Sequence, residues 1–181
     1  DATLVLHGEH TINASTFTAM VTSSTLANAS QVVASAIGSL SGPLHGGANE
    51  KVIAMLQKIE SKEEIRPWLD ETLKAKNVVW GMGHREYSVK DPRANILTDM
   101  VQELFEEREG GVTDIFEKAI ELEKACEEKL SHKGVYPNVD FYSGILYKEM
   151  EIPTDIFTPI FAMSRVSGSV SYTHLRAHET C

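Results

Sequence analysis

Residues 43–59 read P-L-H-G-G-A-N-E-K-V-I-A-M-L-Q-K-I, and the pattern in this stretch sets the fold class. Val52, Ile53, Leu56 and Ile59 recur at spacings of three and four, so they line one face of a helix. Ile96, Met100 and Leu104 repeat that rhythm, as do Ile115, Ala119, Leu122 and Ala125. Most of the prolines, at 43, 67, 92, 137, 153 and 159, stand where a helix can start, the position proline tolerates best. Pro159 is the exception: it is expected to kink or interrupt a helix over 154–168. Gly110 and Gly111 separate an acidic helix end from a further helix over 112–131. No alternating stretch of useful length and no repeat is visible. The reading is an all-α chain of seven or eight helices joined by short connections.

Composition narrows the function classes. Hydrophobic residues make up 42% of the 181, enough to bury a sizeable core. The net charge of -9 argues against a nucleic-acid binder, whose footprint is basic. It leaves room for a small anionic substrate in a locally basic pocket. Cys126 and Cys181 form no C-x-x-C pair, which excludes a disulfide framework and suits a reducing, cytoplasmic setting. No apolar run reaches membrane-spanning length, so no membrane partner is expected. No leader is visible, and Asp1 is read as lying inside a longer chain. The sequons at Asn13 and Asn28 are read as unglycosylated. The glutamates between 103 and 128 are read as a solvated helix face. From Ser169 the character changes abruptly, and 169–181 is read as a non-native tail. His174 and His178 within it have metal-ligand spacing but no third ligand.

Chemistry concentrates in four clusters. They are L-H-G-E-H-T-I-N-A-S at 6–15, G-P-L-H-G-G-A-N-E at 42–50, W-G-M-G-H-R-E-Y-S-V-K-D-P-R at 80–93 and Y-P-N-V-D-F-Y-S-G at 136–144. Gly46 and Gly47 beside His45, and Gly81 and Gly83 before His84, let a ligand approach the backbone closely. A histidine at a helix N-terminus meets the positive end of the dipole, which favours neutral imidazole. Neutral imidazole can donate to a carbonyl oxygen that is gaining charge. Arg85, Lys90 and Arg93 gather positive charge within nine residues, suited to carboxylates. Each cluster alone also has an ordinary reading: a loop His-Gly pair, a helix cap at Asp140, a surface Arg165. A zinc site built from His7, His10, His45 and Glu50 is an alternative, as is a non-catalytic helical interaction module.

Taken in order, the motifs resemble the citrate synthase family. The resemblance runs through P-L-H-G-G-A-N-E, G-M-G-H-R-x-Y-x-x-x-D-P-R-A, P-N-V-D-F-Y-S-G and I-F-A-M-S-R-V-S-G, from about Leu4 to Gly168. It implies an all-α fold holding the small domain and part of the large domain. Residues 1–45 would be a large-domain segment and 46–150 mostly the small, CoA-binding domain. Residues 151–168 would return to the large domain. It further implies Asp140 as base, His45 as stabiliser of the acetyl-CoA enol and His84 as polariser of the oxaloacetate ketone. His10, Asn13, Arg93 and Arg165 would hold the dicarboxylate, with His7 in support. Gly81, Met82 and Gly83 would receive CoA, and Lys90 is either a contact to its phosphates or a solvated lysine. No metal and no tightly bound cofactor is implied; acetyl-CoA is a co-substrate and the full-length form a homodimer. A 2-methylcitrate synthase using propionyl-CoA shares the same motifs. Ser169 stands where the family carries tryptophan, and a further family arginine is missing. Those departures leave open the activity of this segment on its own.

Overall fold

The computed structural model describes residues 1–42, 45–84, 88–106 and 111–179, with the side chains of 174–179 excepted. The chain divides into two compact units, 1–47 with 155–181 and 48–154. The motifs place the corresponding boundaries at 45/46 and 150/151. Among the described residues every named element is helical, and the one strand-like feature is an isolated bridge between Met82 and Pro137. Among the described residues there are nine α-helices against an expectation of seven or eight, the shortest being Ala2–Leu6.

The first unit contains α1 (Ala2–Leu6), α2 (Ala14–Ser23), α3 (Ala29–Leu40) and α9 (Phe157–Glu179). Helices α2 and α3 pack on each other, and both pack on α9. Each begins at a sequon asparagine acting as N-cap: Asn13 accepts from Thr16 N, and Asn28 forms a reciprocal capping box with Gln31. Pro159 does not kink α9. It is the third residue of the helix, in the first turn, where an N–H would have no helical partner anyway. Nor does the helix stop at Gly168. It runs on to Glu179, with Ser169 buried and its hydroxyl 3.2 Å from that of Thr16.

The second unit contains α4 (Ala48–Gln57), α5 (Ile65–Lys74), α6 (Pro92–Glu106), α7 (Asp114–Leu130) and α8 (Val139–Glu149). Its centre is α8, buried at almost every position, with α4 and α6 packed against it and α7 against α4 and α5. Val52, Ile53, Leu56 and Ile59 all lie in the core, as their spacing predicted. On α6 the inward face differs from the expected one. Ala94, Leu97, Val101 and Phe105 are buried, whereas Ile96 is 46% exposed. Two apolar stripes one residue apart satisfy the same periodicity. Contacts outside the helix choose between them: α6 packs on α8, and the Phe105 ring sits 5.2 Å from that of Phe116.

Gly144 permits the α4–α8 contact. A Cβ there would lie 2.6 Å from the Asn49 carbonyl oxygen, on a backbone that cannot rotate away. Gly144→Val is therefore expected to lower unfolding stability by about 1–3 kcal/mol, the usual cost of overpacking. Denaturant melts of the two proteins measure it, and an unchanged midpoint would contradict this packing account.

Candidate active site

The third and fourth polar clusters, both in the second unit, are joined through backbone. Gly83 N donates to Tyr136 O at 2.8 Å, and Asn138 N donates to Gly81 O at 2.9 Å. These two bonds form the bridge between Met82 and Pro137. Asn138 Nδ2 adds a third, to Gly83 O at 2.9 Å, while its Oδ1 accepts from Asp140 N at 3.0 Å and so caps α8. One side chain thus ties the segment ending in His84 to the helix turn carrying Asp140. His84 is exposed and Asp140 half-buried. Asp140 is not itself the cap, one of the two readings its position allowed; Asn138 fills that role and leaves the carboxylate to other work. The cap was within the quoted motif, and an asparagine just ahead of an apolar helix was its signal.

Gly81 can hold its place only as glycine. Its φ is +80°, and a Cβ would meet Phe141 and Val52 at 2.8 Å. Among the described residues, the bonds above use Gly83 N, Gly83 O and Gly81 O, and Met82 N turns back to Val79 O. The Gly81 N–H and the Met82 carbonyl remain.

After His84 the chain is anchored again. Lys90 Nζ lies 2.5 Å from Glu123 Oε1 on α7, an ion pair in which the lysine stays partly exposed. The buried Tyr142 donates its hydroxyl to the other Glu123 oxygen. Burial, then the Glu123 charge, pushes the Tyr142 phenol far above its ordinary range. Arg93 is held by the buried Asp91, with Nη2 2.8 Å from Oδ2 and Nε 3.1 Å from Oδ1. The same carboxylate accepts from Arg93 N at 3.0 Å, supporting the start of α6. On α8, burial and then the Asp140 charge push the Tyr147 phenol above its ordinary range.

The first unit gathers a second group: His45, His10, Asn13 and Arg165. Ser15 N donates to His45 Nε2 at 3.2 Å. A backbone N–H can only donate, so this Nε2 carries the lone pair and the ring proton sits on Nδ1. The Ser15 hydroxyl lies 3.0 Å from the same nitrogen and 2.7 Å from Asn13 Oδ1. Asn13 Oδ1 also accepts from Thr16 N at 3.1 Å, which fixes the amide orientation and leaves Nδ2 buried without a partner among the described residues. Arg165 is buried; its Nε donates to His7 O at 2.8 Å, and its guanidinium lies 4.6 Å from the Phe161 ring centroid. His7 is fully buried. Its Nδ1 lies 3.0 Å from Thr3 O, and its ring packs edge-on to Phe161, a supporting position. Ser15 was quoted but not singled out in the sequence, because a backbone donor carries no residue signature.

The His45 pKa lies below the ordinary histidine value of 6.5, first because of burial and then because of the Arg165 and His10 charges. Burial therefore leads, where the sequence suggested a helix dipole; α4 starts three residues later, at Ala48. A depressed value means that the folded state favours the neutral ring. The resulting stability is complete above the unfolded value and is lost as pH falls below it through the folded one. A two-dimensional NMR titration should place the His45 midpoint below 6.5 with Nδ1 protonated. A midpoint at or above 6.5 would contradict the burial argument.

No group of three or more His, Cys, Asp or Glu among the described residues is arranged to hold a metal ion. The zinc alternative therefore has no cluster there, and the side chains of His174 and His178 lie outside the described set. No helix among the described residues is long and apolar enough to cross a membrane.

A family model described as "Citrate synthase, C-terminal domain" matches residues 1–178. The chain belongs to the citrate synthase family. It is 54% identical to a citrate synthase of Synechocystis over 95% of this chain and 43% of that protein. It is 49% identical to one from Acidithiobacillus ferridurans, over 95% of this chain and 45% of the relative. Among solved structures, citrate synthase from Thermotoga maritima superposes with a TM-score of 0.87 at 39% identity, covering 96% of this chain and 47% of that one. That of Thermoplasma acidophilum, in ternary complex with carboxymethyl coenzyme A and oxaloacetate, gives 0.86 at 35% identity, over 94% and 45%. The chain thus spans less than half the length of these citrate synthases, all of whose matched structure is the family's all-α fold.

Proposed function

We propose that this segment supplies the reacting side chains of a citrate synthase-type condensation of acetyl-CoA with oxaloacetate, an acyl transfer that yields citrate and CoA. The observation that carries the reading is the bridge joining the His84 segment to the Asp140 helix in the second unit; the first unit separately holds His45 neutral and protonated on Nδ1. The Asp140 carboxylate takes a proton from the thioester methyl group. His45 donates its Nδ1 hydrogen bond to the thioester oxygen as charge builds there, so the weak carbon acid ionises as an enol rather than a free carbanion. His84 donates to the ketone oxygen of oxaloacetate; as the enol carbon bonds to the ketone carbon, the C=O π pair moves onto that oxygen, which takes the His84 proton to become the hydroxyl. Water then cleaves the citryl thioester, placing its oxygen on the citrate carboxyl and releasing the CoA thiol.

Arg165, Arg93, His10 and the unpartnered Asn13 Nδ2 are the groups assigned to the dicarboxylate. Gly81 N–H and the Met82 carbonyl, with Gly83 shaping the turn, are the backbone assigned to the CoA adenine. Lys90, paired with Glu123 and partly exposed, is assigned to holding the His84 segment and to meeting the CoA phosphates. The relative solved with oxaloacetate and a CoA analogue supports these substrates. A homodimer is supported by the apolar surface of the first unit, where Val5 is 79%, Leu26 93% and Met163 70% exposed. The free, buried Cys126, its thiol pushed up to about 12 by burial, suits the reducing cytoplasm.

The full-length enzyme carrying this segment tests the reading when given oxaloacetate with acetyl-CoA or propionyl-CoA. Faster CoA release from acetyl-CoA, with citrate as product, is expected. Faster release from propionyl-CoA would assign it to 2-methylcitrate synthesis, and release from neither would overturn the condensation.

A further inference from the structure

The second unit carries a cleft that none of the residues assigned above lines. Helices α4 and α5 and the segment after α5 border an open cleft of about 320 Å³, lined by Lys51, Lys58, Trp68, Thr72, Asn77 and Trp80 among others. That volume lies at the small end of sites that hold a discrete organic ligand, roughly 300–1,000 Å³.

Its lining has an unusual composition for this chain. The sequence has two tryptophans, and both are here, each half-buried. It has 26 acidic and 17 basic residues, yet two lysines and no carboxylate line the cleft. Lys51 Nζ sits 4.1 Å from the Trp80 ring centroid, so cation and aromatic face are already in register. Half-exposed indole rings offer π-faces on which a flat base stacks with little regard for its identity. Lysines beside them supply point charges for phosphate. The Asn77 side-chain amide can meet the edge of a heterocycle in both donor and acceptor sense. An inorganic anion would leave the rings unused, and an apolar ligand would strand the lysines.

We infer that the Trp68–Trp80 cleft binds a free nucleotide, with its base stacked on indole and its phosphates held by Lys51 and Lys58. The inference does not depend on the condensation chemistry. Trp80 directly precedes Gly81, so an occupied cleft sits one residue from the bridge that anchors the His84 segment.

Because the chain's only tryptophans line the cleft, indole fluorescence of the 181-residue chain reads this site directly. ADP should quench it saturably, inorganic phosphate should not, and adenosine should bind more weakly. Lys58→Glu, on an exposed position that leaves the core intact, should weaken ADP about three- to tenfold, the effect of one solvent-facing charge contact. Trp68→Phe should remove part of the quenched signal while the circular dichroism stays unchanged. Saturating CoA should leave the ADP response in place. Absence of saturable quenching, an unaltered ADP affinity in Lys58→Glu, or loss of the ADP response when CoA is added would overturn a separate nucleotide site. None of these readouts requires turnover, so a failed condensation assay and a failed titration remain distinguishable.

Discussion

Asp140→Asn in the full-length enzyme is expected to lower kcat by about 10²- to 10⁴-fold, the usual contribution of a positioned general base. The substitution keeps shape and size but removes the charge that accepts the methyl proton. The helix should survive it. Asn138, not Asp140, caps α8, and the bond that Asp140 gives to the cap comes from its backbone N–H. KM for oxaloacetate should stay within a few fold, because the dicarboxylate is assigned to Arg165, Arg93, His10 and Asn13. Steady-state kinetics with a thermal melt on the same sample measure both. A kcat near that of the unaltered enzyme would remove Asp140 as the base.

Asn138→Ala should produce the largest loss of stability. Its Oδ1 caps α8 and its Nδ2 satisfies the Gly83 carbonyl at 2.9 Å. Loss of an N-cap costs about 0.5–2 kcal/mol and an orphaned carbonyl about 1–3, so a combined loss of about 2–4 kcal/mol is expected. The catalytic consequence should exceed what the melting shift explains, because the His84 segment and the Asp140 turn lose their common tie. Asn138→Asp separates the two roles. Aspartate still caps, through its oxygen, but cannot donate to Gly83 O. It should recover the capping share of the stability, about 0.5–2 kcal/mol, and little of the kcat. Equal recovery of both would reduce Asn138 to an ordinary cap.

The fold was readable wherever periodicity admitted a single answer. Val52, Ile53, Leu56 and Ile59 had only one helical face to occupy, and they are buried. On α6 two stripes met the same rule, and the choice rested on the Phe105–Phe116 contact, which lies outside local sequence. Pro159 was misleading because the helix start was placed three residues early, at 154 rather than at Phe157, and proline's effect depends on its distance from that start. Family membership was legible because four ordered motifs carry it, and the family model now covers residues 1–178. The residues' roles remain proposals, but several supports beneath them were invisible in sequence. Ser15 holds His45 through a backbone N–H, and Gly83 meets Tyr136 through backbone alone. Main-chain partners far apart in sequence leave no side-chain trace. Glu123 was read as one of many solvated glutamates, yet it receives both Lys90 and the buried Tyr142.

The most direct measurement of the central claim is the loss of tritium from methyl-labelled acetyl-CoA to water, in the full-length enzyme with oxaloacetate present. It reads the proton-transfer step itself, before thioester hydrolysis. Label should appear in water in step with citrate for the unaltered enzyme, and fall by about 10²-fold or more in both Asp140→Asn and His45→Ala. Undiminished label release in either variant would contradict the pairing of an Asp140 base with a neutral His45 donor.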